Sequence, residues 1–238
     1  MQTVLITGVS GGIGHAIAEK FLKEGYYVIG ISHKNPELGD SLQAISPHYL
    51  NLSYDLSQFE NAHLLIEEIH SRKLTVDFLI NNAGISVVGL LQDLTENDWN
   101  RIWNTNVTSA VALSREVIPD FLRKQHGKIL NISSVWGTSG ASCEVAYSAT
   151  KGAINTFTKA LAKELAPSNI QVNALACGII DTKMNAHLTP EDLLDIQEEI
   201  PAGRIGTPED VAKAAFSILT GSSYITGQII AVDGGWTV

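Results

Sequence analysis

The stretch Thr3–Gly14, TVLITGVSGGIG, decides the fold. TVLIT reads as a short buried strand, and it runs straight into a glycine-rich turn. Behind the turn, Ile13, Ile17, Ala18, Phe21 and Leu22 recur at helical spacing over Ile13–Glu24, with Gly25 placed as a C-cap. Glycines at 8, 12 and 14 permit a tight turn and let the backbone approach a pyrophosphate, which the N–H groups opening the helix would face. Thr7, Gly8, Ser10, Gly12, Ile13 and Gly14 are therefore expected to hold a dinucleotide. A glycine-rich turn alone is a weak sign, but a strand before it and a helix after it supply the required context.

Outward from this unit, strand-like and helix-like segments alternate. Strands are expected at Tyr27–Ile31, Tyr49–Leu52, Phe78–Asn81, Lys128–Ile132, Ile170–Leu175 and Ile229–Val232. Helices are expected at Asn61–Ser71, Glu96–Lys124 (one or two), Ala146–Leu165 and Glu209–Leu219, the last opened by Pro208. Strands separated by crossover-length helices form parallel sheets covered on both faces, and such crossovers are right-handed. The pattern predicts an α/β fold: a single doubly wound parallel sheet of Rossmann type, with helices on both faces, over residues 1–238. The stretch Asp181–Gly206 is polar, contains Pro190 and Pro201, and reads either as a substrate-side lid or as a surface excursion.

Composition narrows the function classes. Two cysteines, Cys143 and Cys177, give neither a disulfide framework nor metal-ligand spacing, so no metal is expected. The start, MQTVLITG, lacks a basic n-region and a cleavage site, and no apolar run reaches membrane-spanning length. A cytoplasmic setting is expected. The net charge of −9 argues against nucleic-acid and anionic-membrane partners.

Further motifs follow in order: NNAG at 81–84, NTNV around Asn106, NISSV around Ser134, YSATK from Tyr147 to Lys151, YITG at 224–227 and VDGG at 232–235. With TGVSGGIG at the start, this set resembles the short-chain dehydrogenase/reductase family over the whole chain. Thirteen residues separate Ser134 from Tyr147, as is usual there. The resemblance implies a catalytic tetrad of Asn106, Ser134, Tyr147 and Lys151. IPAGRIGTPEDVA and SSYITGQIIAVDGG are similar to the 3-oxoacyl-acyl carrier protein reductases within that family, which implies fatty acid biosynthesis.

Tyr147 and Lys151 lie one helical turn apart and share a face. A free phenol has pKa ≈ 10, and a neighbouring ammonium is expected to lower it toward the working range, making Tyr147 the proton donor to a developing alkoxide. Ser134 is expected to hydrogen-bond the carbonyl oxygen; Ser133 is the alternative. By resemblance, Lys151 also holds the nicotinamide ribose and Asn106 holds a water that relays protons to Lys151. Trp136 is expected to line the substrate pocket or to belong to the core, with Val145 and the segment from Ile179 to Met184 also lining it.

A carboxylate after the second strand would select NAD(H) by binding the ribose 2′-OH. Here that position is Ser32, followed by His33 and Lys34, which favours NADP(H) over NAD(H). Gly11 stands where a basic residue usually sits in the glycine turn. The resemblance places Asp55 and Leu56 at the adenine, Asn82, Ala83 and Gly84 beside the cofactor, and Gly178, Ile180 and Thr182 at its nicotinamide end. Cys177 stands where the family usually has proline.

The implied substrate is a small-molecule or carrier-bound ketone, a 3-oxoacyl thioester first. The two arginines that dock an acidic carrier in similar reductases are Gln125 and Ser168 here, with Arg123, Lys124 and Lys128 near the first. A free ketone or secondary alcohol, a keto group on a modified protein side chain, and a non-catalytic NADP-binding sensor remain open. Homo-oligomerisation, as a tetramer or dimer, is implied through Glu96–Lys124 and Ala146–Leu165, with Ala149, Ala153, Ala160 and Ala162 suited to close packing or to an ordinary buried helix.

Overall fold

In the computed structural model, residues 1–33 and 40–237 are described; Lys34 lies outside them. Seven strands, β1 (Thr3–Thr7), β2 (Tyr27–Ser32), β3 (Tyr49–Ser53), β4 (Phe78–Asn81), β5 (Gly127–Ser134), β6 (Ile170–Cys177) and β7 (Ile229–Val232), form one sheet. Their order is β3-β2-β1-β4-β5-β6-β7, and every pairing is parallel. The winding direction reverses between β1 and β4, the place where doubly wound sheets open a crevice at their carboxyl ends.

Both faces of the sheet are covered, which explains the near-continuous apolar strands. Successive residues of β1 alternate between two cores. Val4 and Ile6 pack with Ile17 and Phe21 of α1 (Gly12–Lys23) and with Val211 and Ala215 of α9 (Pro208–Thr220). Leu5 faces the opposite core, with Leu65 of α3 (Asn61–Ser71), Val117 and Phe121 of α5 (Ser109–Lys124), and Leu161 of α7 (Val145–Leu165). At the first crossover Gly14 has no room for a side chain: an added Cβ would stand 2.3 Å from the Gly8 carbonyl oxygen and 2.4 Å from Asn82 Nδ2.

The structure adds detail to the sequence expectation, which allowed one or two helices over 96–124. The segment 96–124 is two helices, α4 (Glu96–Trp103) and α5, joined by a π-helical turn, Asn104–Thr108, that carries Asn106. Such widened turns recur at functional sites. β5 and β6 each extend two residues beyond the expected ends, so Ser133 and Ser134 are strand residues paired with Ala176 and Cys177. Short helices also occur at α2 (Asp40–Ile45) and α6 (Trp136–Ser139).

The stretch 181–206 is not irregular throughout. It holds a 3₁₀ turn, Lys183–Asn185, and α8 (Pro190–Glu199). Thr189 caps α8 in a reciprocal capping box with Asp192, and Pro190 sits in its first turn. The same four residues, Thr-Pro-Glu-Asp, open α9 at Thr207–Asp210 with the same reciprocal bonds. α8 buries none of its residues fully; its apolar Leu193 and Ile196, one turn apart, are half-buried.

Candidate active site

At the carboxyl ends of the strands lies a cleft of about 1400 Å³. One end is built by the glycine turn, through Thr7, Gly8, Ser10, Gly12 and Ile13, and by Ser32, His33, Asp55 and Leu56 after β2 and β3. The middle is formed by Asn82, Ala83 and Gly84 after β4. The far end holds Ser134, Trp136, Tyr147, Lys151, Gly178, Ile180 and Thr182. Gly14 and Asn106 stand behind the wall rather than on it. Val145, expected in the pocket, is instead 44% exposed and outside the lining, because it opens α7 with its side chain outward.

Hydrogen bonds tie β4 to the glycine turn. Thr7 Oγ1 accepts from the N–H groups of Asn82 and Ala83, both at 2.9 Å. Asn82 Nδ2 donates to the carbonyls of Thr7 at 2.8 Å and Gly8 at 3.2 Å. Beyond the turn, Thr182 lies against Gly12, its Cγ2 3.1 Å from where a Cβ would be. Gly178 packs on the VDGG turn, since a Cβ there would fall 2.7 Å from Asp233 Cβ. The C-terminal signature thus positions the loop that carries Thr182.

The cleft fits a dinucleotide on its own terms. α1 begins without a side-chain cap and without acidic residues in its first turn, and Gly11, Gly12 and Ile13 at its start line the cleft, so its first N–H groups are left for an anion there. Gly11 has open space around it. Ser32 Oγ lines the cleft, is buried, and has no hydrogen-bond partner. A buried hydroxyl left unpaired costs free energy, and a ligand atom in the cleft relieves it. His33 Nδ1 lies 4.0 Å from Asp55 Oδ1.

Ser134, Tyr147 and Lys151 converge at the other end, all nearly or fully buried. Ser134 Oγ accepts from Trp136 N–H at 3.2 Å and stands beside the Tyr147 phenol. Lys151 Nζ donates to the Ile132 carbonyl at 2.8 Å and stands 5.5 Å from the centre of the Tyr147 ring. Gly84 completes the corner: a Cβ there would meet Asn106 Oδ1 at 3.4 Å and Lys151 Nζ at 3.5 Å. The two candidate serines separate cleanly. Ser133 Oγ donates to Asn155 Oδ1 at 2.6 Å and so braces β5 against α7.

Asn106 uses its side chain structurally. Oδ1 accepts from Ile85 N–H at 2.8 Å, and Nδ2 donates to the Ile85 carbonyl at 2.9 Å and to Thr150 Oγ1 at 3.0 Å. It clamps the segment after Gly84 to α7, with both Nδ2 hydrogens and one lone pair of Oδ1 engaged.

The electrostatics correct a second expectation. Burial pushes the Tyr147 phenol up, partly offset by the hydrogen bond from Ser134, while Cys177 and Glu144 raise it further. Burial outweighs the lowering that Lys151 can give, since its ammonium donates to a backbone carbonyl and is itself lowered by burial to about 8. Burial also pushes the Cys177 thiol up to about 12, with Lys151 opposing. At neutral pH the pair is therefore a phenol and an ammonium.

Sequence reading missed several residues on the walls. Trp236 lines the cleft and packs edge-on against Trp136, with centroids 5.1 Å apart, and its Nε1 donates to Glu199 Oε2 at 3.2 Å. Trp136 is therefore a wall residue whose back also touches the Tyr147 cluster. Glu144 and Ser86, bonded at 2.6 Å, line the same end. The signal for Glu144 was its place three residues before Tyr147.

A doubly wound sheet with a dinucleotide-shaped cleft and a buried Ser–Tyr–Lys corner defines a class of oxidoreductases. Residues 2–193 match the family described as short chain dehydrogenase, and the chain belongs to that family. It is 41% identical over 241 residues to an uncharacterised oxidoreductase of Bacillus subtilis, covering 99% of this chain and 98% of that protein. It is 36% identical over 235 residues to a 3-oxoacyl-acyl-carrier-protein reductase of Vibrio cholerae, covering 98% and 96%. A 3-ketoacyl-(acyl-carrier-protein) reductase from Brucella melitensis, solved with NADH, superposes with a TM-score of 0.94 at 30% identity over 100% and 98% of the two chains. A structure from Beutenbergia cavernae with NADP at low occupancy, provisionally named an NAD(P)-dependent gluconate 5-dehydrogenase, gives 0.92 at 35% over 99% and 96%. The chain is an oxidoreductase of this family. Among the described residues no helix is long and apolar enough to cross a membrane, and no cluster of potential metal ligands occurs.

Loss of the Ser133 hydroxyl leaves Asn155 Oδ1 short of its donor. Ser133→Ala is expected to lower stability by about 1–3 kcal/mol, whereas Ser134→Ala, at a hydroxyl facing the cleft, should lower it by less. Urea unfolding midpoints of the two variants check the order, and a larger loss for Ser134→Ala would reverse the assignment.

Proposed function

We propose that this chain is an NADPH-dependent carbonyl reductase acting on 3-oxoacyl thioesters and related ketones. The observation that carries the reading is the convergence of the Ser134, Tyr147 and Lys151 side chains in one buried corner of a cleft whose other end is the glycine turn. A nicotinamide cofactor, when bound, supplies the hydride. The protein supplies position and charge. Ser134 and Tyr147 hydroxyls hold the carbonyl oxygen; Tyr147 Oη gives its proton to that oxygen as negative charge develops there. Lys151 keeps a positive charge close to the phenol, which stabilises the tyrosinate left behind and so works against the upward push of burial. Asn106 is a positioning residue that fixes Ile85 and Thr150 around this corner.

For the cofactor, Thr7, Gly8, Ser10, Gly12 and Ile13 would hold the pyrophosphate. Asp55 and Leu56 would hold the adenine; Asn82, Ala83, Gly84, Gly178, Ile180 and Thr182 the nicotinamide end. Ser32 supports NADP(H) because an uncharged donor replaces the carboxylate that would repel a 2′-phosphate.

Docking of an acidic carrier through the expected basic residues is not supported. Arg123 is paired with Asp120, and Lys124 Nζ with Asp77 at 2.8 Å. Lys128 is buried, with Nζ on the Gly221 carbonyl at 3.0 Å. All three lie toward the amino end of β5, whose carboxyl end bears Ser134. This favours small thioesters or free ketones over a carrier-bound substrate. Assembly into a homo-oligomer through α4, α5 and α7 is supported by the exposure of Trp99, Leu122 and Val145 on those helices.

Tyr147→Phe is expected to lower kcat for acetoacetyl thioester reduction by about 10²–10⁴-fold. Affinity for NADPH, read by fluorescence titration, should change little; near-normal turnover would refute the assignment. With the wild-type enzyme, kcat/KM measured with each cofactor should favour NADPH. A preference for NADH would overturn the reading of Ser32.

A further inference from the structure

Of the charged groups that line the cleft and have no task in the mechanism, Glu144 is the one that bears on the Tyr147 phenol. Glu144 stands immediately before α7, about one helical turn ahead of Tyr147, and lines the same end of the cleft. Its Oε2 accepts from Ser86 Oγ at 2.6 Å. A hydroxyl partner fixes a carboxylate in place without neutralising it. Among the described residues, no Lys, Arg or His nitrogen lies within 4.0 Å of its carboxylate oxygens.

Of the cations that line the cleft, Lys183 stands on the 3₁₀ turn beside Met184 with no ion pair among the described residues, and the others are engaged elsewhere or displaced along it. Lys151 is seven residues further along α7, about 10 Å along the helix axis, with its Nζ on the Ile132 carbonyl. Arg101 is paired with Asp98 at 3.3 Å. His187 Nδ1 lies 3.2 Å from the Met184 carbonyl. The remaining surface of this end includes Trp136, Trp236, Met184 and Leu188.

The Ser134 and Tyr147 hydroxyls mark where a substrate carbonyl oxygen sits. Of its two substituents, one lies on the Lys151 side of Tyr147 and the other has room to run toward Glu144, which lines the same end of the cleft. On the second side an anionic group meets a like charge in a partly buried setting, where Coulomb repulsion is several-fold stronger than in water. An uncharged group suffers no such penalty, and an N–H or O–H on it finds acceptor lone pairs on the Glu144 carboxylate.

We propose that Glu144 is a specificity-determining residue that admits uncharged 3-oxo esters, thioesters and amides and rejects free 3-oxo carboxylates. Selection of this kind works by a built-in repulsion against the wrong substrate as much as by attraction to the right one. The inference rests on the ketone-reductase reading above and specifies which ketones that site accepts.

Acetoacetamide and acetoacetate are near-isosteric and differ by an uncharged amide against a carboxylate. Their kcat/KM values with NADPH, each divided by the rate of reduction by borohydride in solution, give the discrimination. The wild-type enzyme is expected to favour the amide by about tenfold or more, the size of a like-charge repulsion across about 12 Å at an effective dielectric of about 20. Glu144→Gln should shrink that ratio by about tenfold, chiefly through a lower KM for acetoacetate. Glu144→Asp, which keeps the charge, should preserve most of it. An equal ratio in wild type and Glu144→Gln overturns the proposal, and so does a corrected wild-type preference for acetoacetate, which needs no variant to fold. Failure to reduce acetoacetamide, acetoacetate or an acetoacetyl thioester would instead strike the reductase reading itself.

Discussion

The site depends on burying an ammonium and a phenol on consecutive turns of α7. Lys151 is essentially enclosed, and its charge is sustained by one backbone carbonyl, that of Ile132, whose residue lies within β5. A buried lysine without such a partner would lose its proton well below neutral range. The sheet thus supplies the acceptor, the helix supplies the donor, and the β5–α7 contact fixes their relation. Ser133, bonded to Asn155 on α7, braces the same contact one residue before Ser134. The residues around the corner are therefore positioned by elements whose cores lie deep in the protein.

This arrangement changes how the tyrosine works. Proximity to a lysine suggests a phenol acidified in its resting state, yet burial overrides that effect here and raises Tyr147. The lysine contributes where it counts for rate, by favouring the charged tyrosinate that forms as the proton leaves. A protonated phenol held against Ser134 is also the form needed to reduce a ketone, since the reduction consumes that proton.

Much of this was legible in the amino-acid sequence, for identifiable reasons. Strand runs such as Val4–Ile6 are apolar on both faces because two helical layers cover them, so their signal is strong. The turn at Gly8–Gly14 was legible because side chains are sterically excluded there. The tetrad positions were legible through resemblance, and Ser134 through its interval to Tyr147. What stayed hidden depends on contacts distant in sequence. The direction of the Lys151 ammonium, the commitment of the Asn106 amide to Ile85 and Thr150, and the engagement of Arg123, Lys124 and Lys128 arise only after folding. α8 was missed despite the capping residues Thr189 and Asp192, because its apolar side, Leu193 and Ile196, is only half-buried. Ser86 and Glu144 are far apart along the chain and meet only where the loop after β4 reaches α7.

The central claim is that the resting site holds a protonated Tyr147 and a charged Lys151 that gives up its proton near pH 8. The pH dependence of kcat/KM for ketone reduction tests it most directly. Because the reaction uses the phenol's proton and the ammonium's charge, kcat/KM should stay level near neutrality and fall as pH rises through about 8. A kcat/KM that climbs through that interval would mean that the working form is a tyrosinate or a neutral amine, and would contradict the account.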